Sequence, residues 1–196
     1  MDKIVFATTN VGKIKEIKEI LADFDVEVVS MEEMNITADI EENGATFEEN
    51  SLIKARAVSK LTGLPALADD SGLEVDYLNG EPGIYSARYL GRDTDYDYKN
   101  NYIIEKLQDA KDEERNARFV CVISLVLPDG REFVKKGVME GRIGYEIKGE
   151  NGFGYDPIFY LPEYGKTSAE ISAGEKNKIS HRGKALSAMK EIIANL

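Results

Sequence analysis

The sequence predicts an α/β fold on a mixed β-sheet, and three observations point there. Strand-like apolar runs alternate with helix-patterned segments through the first half of the chain. Two strand-like runs then flank Pro128-Asp129-Gly130, a turn sequence that suits a hairpin. The first of these, Phe119 to Leu127, is almost continuously apolar, as in a central strand covered on both faces. Strand–helix alternation yields parallel pairs and a hairpin yields an antiparallel one, so the sheet should be mixed.

The elements follow in order. Lys3 to Thr8 reads as a buried first strand. Ile14, Ile17, Ile20 and Leu21 recur at helical spacing, and Val26 to Ser30 is a second strand. Met31 to Gly44 is polar and acidic, a loop. Thr46-Phe47-Glu48-Glu49 fits a capping box, with Thr46 as N-cap and Glu49 reaching back. The helix it opens has Ile53, Ala57, Val58 and Leu61 on one side; Gly63 ends it and Pro65 blocks resumption. Ala66 to Ala68 is a short strand leading into Asp69-Asp70-Ser71-Gly72, and Leu73 to Leu78 is another strand. Ile103, Ile104 and Leu107 mark a middle helix, and Glu132 to Glu140 is the hairpin partner of the central strand. Asn151 to Pro157 is a glycine-rich loop. Ser180 to Leu196 closes the chain as a helix with Leu186, Met189, Ile192 and Ile193 inward.

Composition narrows the function. Of 196 residues, 42% are apolar, enough for a packed core, and the net charge is −11. That balance argues against a general binder of nucleic acid or anionic membrane, both of which favour a basic face. No stretch approaches the roughly 20 apolar residues of a membrane helix. The apolar run at the N-terminus is too short for a signal peptide, so the expected compartment is the cytoplasm. Cys121 and His181 are single, which excludes an intrachain disulfide and multi-histidine metal sites. Cys121 sits in the most apolar strand and reads as a small core residue.

Four segments could carry chemistry, each with a plainer alternative. Thr8-Thr9-Asn10-Val11-Gly12-Lys13 joins a strand to a helix, where free backbone N–H groups and a lysine suit a phosphate. It lacks the P-loop spacing, and taken alone it suits an Asn-capped helix with a surface lysine better. Asp69-Asp70 at a strand end could hold Mg²⁺ and activate water, or form a polar turn. Neighbouring strand residues point to opposite faces, so one acid could ligate while the other braces a loop. In Asn151-Gly152-Phe153-Gly154-Tyr155-Asp156-Pro157 the glycines allow close approach. Phe153 and Tyr155 could stack on a planar base, and Asp156 could accept from a ring nitrogen; the alternative is a tight loop with its aromatics in the core. Glu175 to Gly183 gathers Lys176, Lys178, His181 and Arg182 before an apolar helix, an anion site or a solvated helix start.

Together these segments resemble the inosine triphosphate pyrophosphatase family, the non-standard purine nucleoside triphosphate pyrophosphatases. The resemblance runs from Lys3 to the last helix. Its most specific parts are Thr-Phe-Glu-Glu-Asn at 46–50 with Lys54-Ala55, Ala-Asp-Asp-Ser-Gly-Leu at 68–73, and Pro-Gly-Ile-Tyr-Ser-Ala-Arg-Tyr at 82–89. Gly-Phe-Gly-Tyr-Asp-Pro at 152–157 and Ser-His-Arg-Gly-Lys-Ala-Leu at 180–186 complete the set. The resemblance implies one domain over residues 1–196, with an elongated mixed sheet, two lobes and a central cleft, in a homodimer. It implies Mg²⁺-dependent hydrolysis of ITP, dITP or XTP to the monophosphate and pyrophosphate, which cleanses the nucleotide pool. Asp70 would be general base and metal ligand, Glu41 a further ligand, and Asp69 a support. The loop Thr8, Thr9, Asn10, Val11, Gly12 and Lys13 would hold substrate together with Lys54, Ser71 and Lys176. Phe153 would stack on the base beside Gly154, Tyr155 and Asp156, while His181 and Arg182 would donate to its 6-oxo group. The competing readings are a Maf-type pyrophosphatase acting on modified pyrimidines and a nucleotide sensor without turnover.

Overall fold

In a computed structural model the described residues are 2–22, 26–38 and 40–196; Asp39, within the expected acidic loop, lies outside them. The order is β1 (Lys3–Phe6), α1 (Val11–Ile20), β2 (Glu27–Ser30), α2 (Phe47–Thr62), β3 (Ala66–Val75), α3 (Tyr96–Lys106), β4 (Asn116–Val126), β5 (Glu132–Ile143), β6 (Phe159–Leu161), β7 (Lys166–Thr167), α4 (Ala173–Ile179) and α5 (His181–Ile193). The strands form one seven-stranded sheet in the order β2-β1-β3-β4-β5-β6-β7. β1 pairs parallel with β2 and β3, whereas β6 pairs antiparallel with β5 and β7. The sheet is mixed, as the sequence predicts.

The chain divides into two units. The first comprises residues 1–70, 121–137 and 181–196. One of its cores joins Ile4, Phe6, Leu67, Ile123 and Leu125 to Ile17 of α1 and Leu186 and Met189 of α5. A second core sets Val5 and Ala68 against Ala55 and Val58 of α2. The second unit comprises residues 71–120 and 138–180, and its core gathers Leu73, Ile103, Leu107, Phe119, Ile143 and Phe159. Arg115 is only 1% exposed there, yet its guanidinium donates to the carbonyls of Leu107, Ile143 and Gly144. Those bonds satisfy a charge that burial would otherwise penalise heavily.

The structure departs from the sequence reading in five places. Asp69-Asp70-Ser71-Gly72 does not interrupt a strand: β3 runs unbroken from Ala66 to Val75, and Asp76–Leu78 forms a 3-10 turn. Acids in a strand interior are disfavoured alone, but these have cationic partners. Thr46 caps α2 by accepting from the Glu49 N–H, yet the Glu49 carboxylate accepts from Ala45 N–H at 2.6 Å, one residue outside the expected box. Leu61 is 61% exposed; the buried side of α2 is Phe47, Asn50, Ser51, Lys54, Ala55, Val58 and Ser59. Hydrophobicity misplaces that face because half of it is polar. Finally, α4 precedes the last helix, capped by Ser172 with Glu175 reaching back, and the short strands β6 and β7 go beyond the expected hairpin.

Candidate active site

The first unit builds a charged cluster on the edge of β3. Alternation along the strand sends Asp69 and Asp70 to different surroundings. Asp69 is fully buried among Lys13, whose ammonium pairs with Oδ1, and Arg182, whose Nε–H donates to Oδ2 at 2.8 Å. The Cys121 thiol also donates to Oδ2, at 3.0 Å. Burial alone would raise the Asp69 pKa, but Arg182 and Lys13 outweigh it and hold the carboxyl well below the usual range. Burial and Asp69 together push the Cys121 thiol well up, which leaves it inert as a nucleophile. Arg182 also pairs with Glu16 of α1.

Asp70 faces α2 and the acidic loop. Ser51 donates to the Ala68 carbonyl at 3.1 Å and fastens α2 to β3. One turn on, the Lys54 ammonium lies 3.2 Å from Asp70 Oδ1 and 2.8 Å from Glu42 Oε2. Glu42 therefore shares a cation with Asp70, whereas Glu41 is exposed. Burial, helped by Glu42 and Asp69, raises the Asp70 carboxyl to about 6 against the pull of Lys54 and Lys13. Burial would lower Lys54, but Asp70 and Glu42 outweigh it and raise the ammonium, which stays charged. Asp70 Oδ2 is buried with no hydrogen-bond partner.

That orphaned oxygen bears on the metal. Among the described residues no three His, Cys, Asp or Glu side chains form a ready-made ion site. Mg²⁺ does not demand one: it commonly takes one or two carboxylates and completes its shell with water and substrate phosphates. Glu42 and Asp70, with one acceptor unused, fit such an ion.

Beside this cluster, β1 leads into α1 through Thr8 and Thr9. Asn10 caps the helix by accepting the Lys13 N–H at 3.0 Å, and its own N–H donates to Thr8 Oγ1 at 3.2 Å. Val11 is 77% exposed, and Gly12 is half-buried beside it.

The second unit builds the glycine-rich loop. Asp156 accepts from Phe153 N–H at 2.8 Å, from Ser168 Oγ at 2.7 Å and from Lys176 Nζ at 2.5 Å. Lys176 is 3% exposed and its ammonium lies 5.2 Å from the Phe153 ring centre, on the half-buried loop. Gly152 has φ +75°, and a Cβ there would strike the Asp156 carboxylate. From below, Asn100 donates to the Gly154 carbonyl at 3.1 Å. Tyr155 is 4% exposed, packs edge-on against Tyr96 and donates to the Ser86 carbonyl at 2.8 Å. Ser71 is half-buried in β3.

Residues 4–192 match the Ham1 family. The chain belongs to it. The chain is 49% identical over 197 residues to a protein of Clostridium perfringens named dITP/XTP pyrophosphatase, covering 97% of each. It is 53% identical over 189 residues to one of the same name from Thermus thermophilus, covering 96% of this chain and 90% of that one. Among solved structures, a HAM1 protein from Coxiella burnetii superposes with a TM-score of 0.90 at 44% identity, covering all of both chains. The Ham1 protein of Staphylococcus aureus does so at 0.87 and 44%, covering 99% of each. The family read from the motifs is thus the family the chain belongs to.

Among Ham1 family residues expected at the site, the structure brings Lys13, Lys54, Asp69, Asp70 and Arg182 together in one unit. It gathers Phe153, Asp156 and Lys176 in the other. Three placements differ from expectation. Glu42 pairs with Lys54 beside Asp70, whereas Glu41, expected there, is exposed. Tyr155 points into the core, which removes it from stacking on a base. Arg182 spends Nε–H and Nη1–H on Asp69 and Glu16, and it is 1% exposed, so it braces the cluster instead of presenting a fork outward. His181, its neighbour in α5, is also buried. Sequence reasoning missed Asn50, Glu16, Asn100 and Ser168. Asn50 was within reach: with Lys54 it makes an i, i+4 pair on the face of α2 that opens with Thr46.

Proposed function

We propose that this chain hydrolyses non-standard purine nucleoside triphosphates such as ITP, dITP and XTP to the monophosphate and pyrophosphate. Relatives about half identical over nearly the whole chain carry the name dITP/XTP pyrophosphatase. The observation that carries the chemistry is Asp70, a buried carboxyl with one unpartnered oxygen, raised toward neutrality, facing Glu42 and Lys54.

Glu42 and Asp70 would hold Mg²⁺ in this reading, and the ion would supply charge that offsets the triphosphate and favours an ionised Asp70. Asp70 takes the proton of the attacking water. The water oxygen bonds to the α-phosphorus as the α–β bridging bond breaks, and pyrophosphate leaves. Asp69 holds Lys13 and Arg182 in place. Lys13, Lys54 and the Thr8–Gly12 backbone receive the phosphates. The base stacks on Phe153 beside Lys176. The protein works as a cytoplasmic homodimer that clears deaminated nucleotides.

Purified protein with Mg²⁺ and ITP, XTP or ATP in parallel tests the proposal. Pyrophosphate with IMP or XMP, and ATP nearly untouched, is expected. Phosphate with a diphosphate places the cleavage elsewhere and removes Asp70 from its role. Binding of ITP without turnover makes the protein a sensor.

A further inference from the structure

Lys54 reaches a place that also suits a divalent cation. Its ammonium bridges Glu42 and Asp70 at 2.8 and 3.2 Å, and its side chain is only 10% exposed, so little solvent competes. Lys54 is the ammonium paired with both carboxylates, Lys13 acts on them without an ion pair to either, and Asp70 Oδ2 is left buried with no hydrogen-bond partner. The site is therefore under-compensated, which is unfavourable away from water.

The carboxylates are fixed more firmly than the lysine. Asp70 sits within β3. The loop carrying Glu42 is stapled to α2, because Gly44 N–H donates to Asn50 Oδ1 at 2.8 Å and Ala45 N–H to Glu49 Oε2 at 2.6 Å. Contact there is close: a Cβ on Gly44 would lie 2.7 Å from Glu49 Cβ and 2.8 Å from Asn50 Oδ1. Lys54, on a four-carbon stem, is the partner that can turn away.

We infer that Lys54 is the resident counterion of the nucleotide-free site and exchanges with the divalent ion. It leaves the carboxylates as the ion enters and turns to the phosphate oxygens of the substrate. This rests on the reading of Glu42 and Asp70 as the metal-holding pair. Metal and nucleotide then reinforce each other, because the phosphates give the displaced ammonium a new anionic partner.

The test is a Mn²⁺ titration of nucleotide-free protein, reading free Mn²⁺ by electron paramagnetic resonance, for wild type, K54M, K54R and D70N. K54M should bind Mn²⁺ about tenfold more tightly than wild type or better, since a nearby unit charge is removed. K54R should stay near wild type, and D70N should lose binding. K54M binding no tighter than wild type, with D70N still defective, overturns the exchange and spares the metal site. Undiminished binding by D70N takes down the metal-site reading and the exchange with it. A wild-type measurement stands beside the variants in case K54M does not fold. Amine-reactive labelling of Lys54, followed by peptide mass spectrometry, should quicken several-fold at saturating Mn²⁺; an unchanged rate overturns the exchange.

Discussion

The Asp69 carboxylate accepts the Arg182 Nε–H at 2.8 Å across 113 positions of sequence, with both side chains at most 1% exposed. Lys13, Glu16 and Cys121 join the same buried group. Removing one member of such a group strands the others. Arg182→Ala should cost about 3–5 kcal/mol of stability, read from urea unfolding. A loss below about 1 kcal/mol means that Arg182 does not brace the cluster.

Asp70 links the proposed activity to stability. Its folded pKa of about 6 lies above the ordinary 3.8, so the carboxyl prefers to be protonated in the fold. Its contribution is fully present below about pH 4 and is lost as pH rises through 6. In metal-free buffer, Asp70→Asn should therefore raise stability at pH 7.5 by about 1–3 kcal/mol. The gain should vanish near pH 4, as melting temperatures across that range would show. A variant that is less stable at pH 7.5 contradicts the assigned direction.

The same substitution should abolish most turnover, by about a thousandfold or more in kcat, because Asn cannot take the proton of water. Near-normal steady-state hydrolysis of ITP by folded Asp70→Asn would remove Asp70 from the base role.

Lys176 and Phe153 meet around Asp156 in the glycine-rich loop. Lys176→Met leaves Asp156 buried with only Ser168 and the Phe153 N–H, and takes the ammonium from beside the ring. The expected result is a KM for ITP raised about tenfold, with kcat changed far less. A lowered kcat at unchanged KM would assign Lys176 to the chemical step.

Gly152 tests the loop from the backbone side. At φ +75°, with a Cβ directed at the Asp156 carboxylate, alanine meets both strain and collision. Gly152→Ala should cost about 1–3 kcal/mol in thermal or urea unfolding and raise KM for ITP. An alanine variant as stable as wild type would mean that the loop relaxes freely.

Much of this was legible in the chain. The strand–helix alternation, the Thr46 cap and the Gly63 terminus are short-range properties, and the structure has them. Period-two alternation at Asp69-Asp70 likewise predicts separate surroundings for the two acids, and their partners differ. The face of α2 was misjudged because Asn50, Ser51 and Lys54 are buried for their partners and not for their hydrophobicity. The continuity of β3 was missed for a related reason: acids read as a break until their cations are known.

By itself, then, the sequence determined the α/β class, the helix caps, the family and the residue types that supply a carboxylate, an ammonium and an aromatic ring. These depend on neighbours within a few positions and on motif order. Only the tertiary structure decided that Glu42 and not Glu41 meets Lys54, that Arg182 turns to Asp69, and that Tyr155 goes inward to Ser86. Those choices span 12, 113 and 69 positions. A side chain's direction there follows from which distant backbone packs against it, and from the cost of leaving a buried charge without a partner.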